Sequence, residues 1–257
     1  MIGGEPRARS RVPALWAHRG ASAHAPENTE AAFARAIADG ADGVELDVRD
    51  AACGTVVVAH DPTLDRVARR PGVVADLTAA ALSDIRVMDA GCPNGVPGFP
   101  TLDEAIDQVV GAGLRLNVEI KGDVPNRIRL AKRVASLLAR RAPRERDAIL
   151  ISSFRPEILV ATRAFGARVP VAFLFDAEHT GELRAAALWR VVRPDGLHPQ
   201  HRLATRSAIA RWKRRGLFVN AWTVEDEDRL RTLARDGIDG IITNDPARAR
   251  RALAAGP

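Results

Sequence analysis

Short apolar runs alternate with longer amphipathic stretches along most of the chain. From residue 14 onward, the short runs are rich in β-branched residues, and the longer stretches repeat their apolar residues at helical spacing. The first pattern is typical of buried strands and the second of helices that pack on one face. The pattern predicts eight strands, which are Ala14–His18, Gly43–Val48, Arg115–Lys121, Ala148–Phe154, Val169–Phe175, Gly196–His198, Leu217–Thr223 and Gly240–Thr243.

Helical patterns lie between most of these strands. Several begin with a capping residue and an acidic first turn, as Thr101 does before Asp103 and Glu104. Eight βα units in 257 residues predict an α/β fold, a closed (β/α)8 TIM barrel rather than an open doubly wound sheet. The predicted helices are Thr29–Ala38, Leu102–Val110, Pro125–Arg140, Glu157–Ala164, Gly181–Trp189, Thr205–Arg214, Glu225–Arg235 and Pro246–Ala255.

One interval breaks this rhythm after the second strand. A second apolar run allows a hairpin between Val44–Arg49 and Thr55–Ala59. The next segment, Asp61–Pro100, contains five prolines and one convincing helical piece, Thr78–Arg86. Connections of this length are usually functional loops or inserted subdomains. We therefore predict a small insertion at about residues 61–100, lying over the strand ends, within a single domain that spans residues 1–257.

Composition narrows the class of protein. Hydrophobic residues make up 46% and charged residues 27% of the chain, which disfavours disorder, collagen-like repeats and a disulfide scaffold. Cys53 and Cys92 lack metal-ligand spacing, and a reducing cytoplasm suits them. Because no apolar run approaches about 18 residues and the basic start precedes no signal-peptide core, we expect a cytoplasmic protein without a membrane span.

The positive net charge is a weak indication of function. The formal charge is +6, but 35 of the 38 basic residues are arginine in an alanine-rich chain, a bias typical of a whole genome. Tyrosine is absent, and phenylalanine and tryptophan total 11, which leaves little material for stacking on bases. The one dense basic cluster, Arg211–Arg215, fits the solvated end of a helix. We therefore expect no nucleic-acid partner.

Acidic residues mark the inner face of the predicted barrel. Glu45 and Asp47 are two apart on one strand, so both carboxylates point to one face, while Val44, Leu46 and Val48 point to the other. An edge strand with a solvated acidic face would read similarly, although this apolar content is more typical of a central strand. On the next predicted strand, Asn117, Glu119 and Lys121 share a face.

Three carboxylates on neighbouring inward faces favour a hard divalent cation. Glu45, Asp47 and Glu119 would form an oxygen-rich site suited to Mg²⁺ or Ca²⁺, and Lys121 adds a positive charge for a phosphate oxygen. His18 and Arg19 leave the first strand together, which also suits phosphate, although taken alone such a pair more often lies on a plain surface beside a capping Asn. If the hairpin forms, His60 emerges near the acids, and two imidazoles give an acid and a base.

These residues occur in an order that resembles the glycerophosphodiester phosphodiesterase family. The resemblance runs from about residue 14 to the C-terminus and implies a barrel with an insertion after its second strand. Asn244 stands where aspartate is frequent and His24 where an aromatic residue is frequent, and neither change removes an acid, base or ligand. The matching strings are His18–Gly20, Pro26–Thr29, Glu45–Asp47, His60–Arg66, Pro100–Glu104, Glu119–Lys121, Asn220–Val224 and Gly237–Pro246.

The resemblance also implies roles for single residues. It makes His18 and His60 the catalytic acid and base, in an order left open, and it makes the three acids ligands of one divalent cation, Mg²⁺ or Ca²⁺. Arg19 and Lys121 would hold the phosphate. Further residues are implied around the substrate, with Trp222 beside it, or alternatively in the core, and with Glu27 and Asn28 shaping the site.

The implied reaction is hydrolysis of a glycerophosphodiester to glycerol 3-phosphate and an alcohol. A bulkier lipid such as a lysophospholipid is an alternative substrate, with the insertion as a lid, but the mixed, Pro/Gly-rich insertion favours a small water-soluble headgroup. A catalytically silent barrel that binds phosphate esters or a protein is another alternative, which predicts the loss of an acid, base or ligand. All of these residues are present. The oligomeric state stays open.

Overall fold

The computed structural model describes residues 12–89, 91–178 and 192–255. The strands of the described residues are β1 (Ala14–His18), β2 (Gly43–Asp50), β3 (Val56–Val58), β4 (Arg86–Val87), β5 (Val96–Pro97), β6 (Arg115–Ile120), β7 (Ile149–Ser153), β8 (Val171–Phe175), β9 (Gly196–Pro199), β10 (Phe218–Ala221) and β11 (Gly240–Thr243). Eight strands of one sheet run parallel, in the order β1, β2, β6, β7, β8, β9, β10 and β11, and β11 pairs with β1 to close a barrel. This confirms the predicted TIM barrel.

Helices follow the strands around the barrel. Seven of the eight predicted helices are observed, with ends that shift by no more than two residues, and the predicted helix Gly181–Trp189 lies outside the described residues. None of the described helices is long and apolar enough to cross a bilayer. In chain order the helices are α1 (Glu30–Ala38), α2 (Asp65–Ala68), α3 (Ala79–Ser83), α4 (Leu102–Gly111), α5 (Arg127–Arg140), α6 (Pro143–Arg146), α7 (Pro156–Ala164), α8 (Arg206–Lys213), α9 (Glu227–Arg235) and α10 (Pro246–Ala254).

The core lies between the barrel and its helices. Every residue of β2 is buried, and its apolar members join a cluster with Phe33 of α1 and Ile106 of α4. Since side chains alternate along a strand, Glu45 and Asp47 must then point into the barrel. The alternation that the sequence shows is therefore the alternation between core and barrel interior.

The insertion has a separate small core. β3 pairs antiparallel with β2, which confirms the hairpin, and β4 pairs with β5 further on. Leu64, Leu82 and Phe99 are buried in an apolar cluster of their own. The predicted helical piece Thr78–Arg86 is shorter than expected, because α3 ends at Ser83 and β4 begins at Arg86. The four-residue α2 was not predicted, since one turn shows no periodicity.

A tight turn after β1 requires Gly20. Its φ is +81°, and a Cβ at this position would lie 2.6 Å from the Cβ and 2.7 Å from the carbonyl carbon of Ala32. A side chain here therefore meets both a left-handed backbone and the body of α1. The glycine of the His18–Gly20 string lets the chain leave β1 directly against this helix.

We predict that Gly20→Ala lowers the free energy of unfolding by about 2–4 kcal/mol, combining left-handed strain with overpacking. Gly40→Ala is the matched control, because Gly40 has φ +71° and nothing within 4 Å of its Cβ position. Gly40→Ala should lower the free energy of unfolding by roughly 1–2 kcal/mol, from strain alone. Urea unfolding of both variants measures the difference, and equal losses would contradict the proposed contact with α1.

Candidate active site

A cavity of about 180 Å³ opens at the carboxyl ends of the barrel strands. This is the face at which TIM barrels place their active sites. The segments that follow β1, β3, β6, β7 and β10 all contribute to it. The residues that line it are His18, Arg19, Glu45, His60, Asn117, Glu119, Lys121, Phe154, Leu174, Trp222, Thr223 and Ile242.

Three buried carboxylates meet beside this cavity. Each of Glu45, Asp47 and Glu119 offers one oxygen, and these oxygens lie within 4.8 Å of one another. The parallel register of β2 and β6 is the cause, since it sets Asp47 opposite Glu119 and Glu45 opposite Asn117. The exposed fractions of the three residues are 4%, 1% and 8%, so little solvent reaches them.

Two cations balance part of this negative charge. Lys121 Nζ lies 3.2 Å from Asp47 Oδ1 and 2.9 Å from Glu119 Oε1, and Arg19 Nε lies 3.3 Å from Asp47 Oδ2. Burial opposes ionisation of Asp47, but Lys121 and Arg19 outweigh it and hold the pKa of this carboxyl well below its ordinary value. Asp47 is therefore the carboxylate that the protein itself neutralises.

The other two carboxylates are not fully compensated. Burial raises the pKa of Glu45 well above its ordinary value, and the charges of Asp47 and Glu119 raise it further. Burial and the charge of Asp47 also raise the pKa of Glu119, against the opposing effect of Lys121. The cluster therefore attracts a further positive charge, and all-oxygen donors suit Mg²⁺ or Ca²⁺.

Two residues with left-handed backbone lie beside the carboxylates. Arg19 and Asn28 both have φ +57°, a left-handed backbone that few non-glycine residues adopt. The Arg19 amide donates to Glu45 Oε2 at 3.1 Å, and its Nη1 donates to Glu27 Oε1 at 2.9 Å. Asn28 Nδ2 donates to Asp47 Oδ2 at 2.9 Å. Glu27 and Asn28 thus contact Arg19 and Asp47 directly, and their role in shaping the site stays a prediction.

Both predicted catalytic histidines line the cavity, and each binds an oxygen acceptor through Nδ1. His18 Nδ1 lies 2.7 Å from Asn244 Oδ1, and His60 Nδ1 lies 2.7 Å from Asp61 Oδ1. Because these oxygens accept, Nδ1 carries a proton and Nε2 remains for a substrate. Burial and the charge of Arg19 lower the pKa of His18 to about 4.

Trp222 lies directly after β10 at the cavity wall. Its ring is half-buried and packs edge-to-face against Phe154, with 5.5 Å between ring centroids, while Nε1 donates to the His198 carbonyl at 2.7 Å. Its ring also packs against the buried cluster of Trp16 and Leu150, so Trp222 lies between the cavity and the core. Its place beside a substrate stays a prediction.

Several residues that line the cavity or contact its histidines were not among the predicted site residues. Asn117 was placed on the correct face, but not in the site, although its Oδ1 is buried and has no hydrogen-bond partner. Phe154 faces Trp222, and Asn244 orients His18 from 226 residues away. Asp61 and Arg66 belong to the matching string His60–Arg66, but the sequence assigned neither of them a role. No local pattern distinguishes these residues from ordinary loop positions.

The fold and the cavity are those of a TIM-barrel enzyme, and comparison with known proteins defines its family. The model described as "Glycerophosphoryl diester phosphodiesterase family" matches residues 18–248. The glycerophosphodiester phosphodiesterase of Caldanaerobacter subterraneus subsp. tengcongensis is 31% identical over 234 residues, which cover 90% of this chain and 93% of that protein. The chain therefore belongs to the glycerophosphoryl diester phosphodiesterase family and is a phosphoric diester hydrolase.

Solved structures agree with this assignment. An Oleispira antarctica phosphodiesterase, solved in complex with the product sn-glycerol-3-phosphate, matches with a TM-score of 0.84 and 26% identity, over 95% of this chain and 97% of that one. The Thermotoga maritima glycerophosphodiester phosphodiesterase matches with a TM-score of 0.76 and 28% identity, over 93% and 97% of the two chains.

The uneven compensation of the carboxylates predicts opposite effects of two neutralising substitutions. In the presence of a chelator near neutral pH, Glu45→Gln should raise the free energy of unfolding by about 1–3 kcal/mol, because it removes a desolvated, repelled charge. Asp47→Asn should lower it by about 3–5 kcal/mol, because Lys121 and Arg19 lose their shared partner. Urea unfolding measures both, and changes of the same sign would contradict this account of the cluster.

Proposed function

We propose that this enzyme hydrolyses glycerophosphodiesters to sn-glycerol 3-phosphate and an alcohol, with one divalent cation and two catalytic histidines. The observation that carries this proposal is the convergence of two imidazoles, three carboxylates and two cations on one small cavity. The complex of the Oleispira antarctica relative with sn-glycerol-3-phosphate supports the same product here.

The three carboxylates are the residues that would hold the cation. Their oxygens are close enough together for one ion, they are buried, and Lys121 and Arg19 compensate mainly Asp47. We propose Mg²⁺ or Ca²⁺, because both prefer oxygen ligands. When bound, the ion supplies positive charge that offsets the charge developing on the phosphoryl oxygens.

Arg19 and Lys121 are proposed to bind the phosphate. Both line the cavity, and both are held by carboxylates, Glu27 for Arg19 and Glu119 for Lys121, so their charges stay in place without substrate. Arg19 offers a planar fork and Lys121 a compact ammonium group, which suit non-bridging phosphate oxygens. Preorganised cations of this kind stabilise a transition state without reorganising during the reaction.

The histidines are proposed to move the protons. One imidazole Nε2 accepts the proton of the attacking glycerol hydroxyl as its oxygen bonds to phosphorus, and the other gives a proton to the departing alkoxide as the second P–O bond breaks. If this first step yields a cyclic phosphate, the two rings exchange roles while water opens it. Nδ1 of each ring stays on its acceptor throughout, Asn244 for His18 and Asp61 for His60.

We predict that His18→Ala and His60→Ala each lower kcat by about 10²- to 10⁴-fold, the usual contribution of a proton-transfer group. His201→Ala is the control, because His201 is also half-buried but does not line the cavity. Steady-state kinetics with a glycerophosphodiester, together with unfolding midpoints, measure the effect. Full activity in either of the first two variants would overturn the two-histidine mechanism.

We also predict that chelation abolishes turnover and that added Mg²⁺ or Ca²⁺ restores it. The reason is the buried carboxylate cluster, whose charges need a cation to face an anionic substrate. The measurement is glycerol 3-phosphate release after treatment with a chelator, before and after each ion is added back. Unchanged turnover in the chelated enzyme would argue against the metal site.

The substrate headgroup is proposed to be small and water-soluble. The cavity holds about 180 Å³, and Val73 is the one large apolar residue of the described part of the insertion that is exposed. Because the other apolar residues there fill their own cluster, they offer no open surface to an acyl chain. On a panel of substrates, short glycerophosphodiesters should have at least about tenfold higher kcat/KM than a lysophospholipid, a difference of about 1.4 kcal/mol. The reverse preference would contradict this proposal.

We further propose that residues 1–257 form one catalytic domain and that it works in the cytoplasm without nucleic acid. Support for one domain comes from β1 and β11, which lie at opposite ends of the described chain and pair with each other. Support for the cytoplasm comes from the free thiols of Cys53 and Cys92. A role for this enzyme in lipid and glycerol metabolism follows from the proposed reaction.

A further inference from the structure

A chain of charged groups connects His60 to Arg19 through the insertion. Asp61 accepts from His60 Nδ1 through Oδ1 and from Arg66 Nε through Oδ2, at 2.7 Å and 2.6 Å. Arg66 also donates twice to Glu27, from Nη1 at 2.8 Å and from Nη2 at 2.7 Å. Glu27 in turn holds Arg19. The guanidinium of Arg66 is thus the link between the proton-transfer side and the phosphate side.

The backbone and the ring of His60 are held by different residues. The buried side chain of Arg49 donates from Nε and Nη2 to the His60 carbonyl, at 2.9 Å and 2.6 Å, and its Nη2 also binds Asp123 at 2.8 Å. These bonds fix where the main chain lies, but they leave rotation about the side-chain torsions free. The ring orientation and the protonated nitrogen therefore depend on Asp61.

Asp61 needs a partner to present one oxygen to the ring. Its side chain is 22% exposed, so water competes for both oxygens. Arg66 Nε donates to Asp61 Oδ2. Because the other two guanidinium nitrogens donate to Glu27, the guanidinium cannot rotate away from Asp61. This leaves Oδ1 as the oxygen that faces His60 Nδ1. A carboxylate oxygen can only accept, so the ring is held as the Nδ1–H form with Nε2 toward the cavity.

Stability alone gives little reason for this arrangement. The side chain of Arg66 is 51% exposed, and ion pairs at exposed positions typically contribute roughly 0–1 kcal/mol. The two bonds to Glu27 and the third bond to Asp61 instead fix the orientation of both carboxylates. Arg66 is the second residue of α2, so it neither begins nor caps this one-turn helix.

From these contacts we propose that Arg66 is a positioning residue that fixes the tautomer and orientation of His60 through Asp61 and couples it to Arg19 through Glu27. This inference rests on the proposed role of His60. It assigns the insertion a task in the reaction, because Arg66 belongs to α2 of the insertion and its partner Glu27 belongs to the loop after β1. The ring of His60 is thus aligned when the insertion is docked on the loop after β1.

The test compares Arg66→Met with Arg70→Met, which removes an exposed arginine from the same segment. Arg66→Met should lower kcat by about 10- to 100-fold, the usual cost of losing an orienting partner, with KM changed by less than about threefold. Arg70→Met should leave both near the original values. Arg66→Lys should recover only part of kcat, because one ammonium cannot hold Asp61 and both oxygens of Glu27.

A double-mutant cycle separates positioning from a general structural effect. In the His60→Ala background, Arg66→Met should have little further effect on kcat, because the ring that Arg66 positions is gone. An equal fold-loss in both backgrounds would overturn the proposal. So would an unchanged kcat in Arg66→Met. If His60→Ala is fully active, it is the two-histidine mechanism that fails.

A spectroscopic readout tests the proposal independently of activity. Long-range ¹H–¹⁵N spectra of the imidazole nitrogens at about pH 8.5, where imidazoles are neutral, report the tautomer of each ring. His60, identified by the signals lost in His60→Ala, should be the Nδ1–H form in the unaltered enzyme and in Arg70→Met. It should become a mixture in Arg66→Met. A pure Nδ1–H form in Arg66→Met would contradict the inference.

Discussion

The register between β2 and β6 is the constraint on which the rest of the site depends. It sets Asp47 opposite Glu119 and Glu45 opposite Asn117, with all four side chains on the inner face of the barrel. The outward residues of both strands are apolar and pack against the helices. Because the barrel is closed, these carboxylates cannot turn to bulk water. Burying charge without partners is costly, so the surrounding loops must supply donors and cations.

The loops are built around that requirement. Lys121 leaves β6 directly beside the acids, Arg19 adopts a left-handed backbone beside Asp47, and Asn28 donates to the same carboxylate. These groups neutralise Asp47 but leave Glu45 and Glu119 in excess. The residual negative charge suits a cation, while Arg19 and Lys121, which both line the cavity, suit a phosphate. The net charge of +6 says little about this balance, since the decisive charges are local.

The elements that sequence predicts well here are those set by local alternation. β1 and β11 have the predicted bounds, and the Glu45–Asp47 alternation identified the carboxylate face before any fold was known. The links between loops could not be predicted in this way. His18 contacts Asn244, which is 226 residues away in the sequence. Arg66, which lies in the one-turn helix α2, contacts Glu27, which is 39 residues away. Such contacts exist only once the barrel has closed and the insertion has folded.

The most direct measurement of the central claim is the unfolding temperature of the enzyme as Mg²⁺ or Ca²⁺ is added to a metal-free sample. If the three buried carboxylates form one cation site, an ion at about 100 times its Kd should stabilise the fold by about 3 kcal/mol, or roughly 6–12 °C. The same titration of Glu119→Gln should show a much smaller shift. No shift in the unaltered enzyme, or equal shifts in both proteins, would contradict the account.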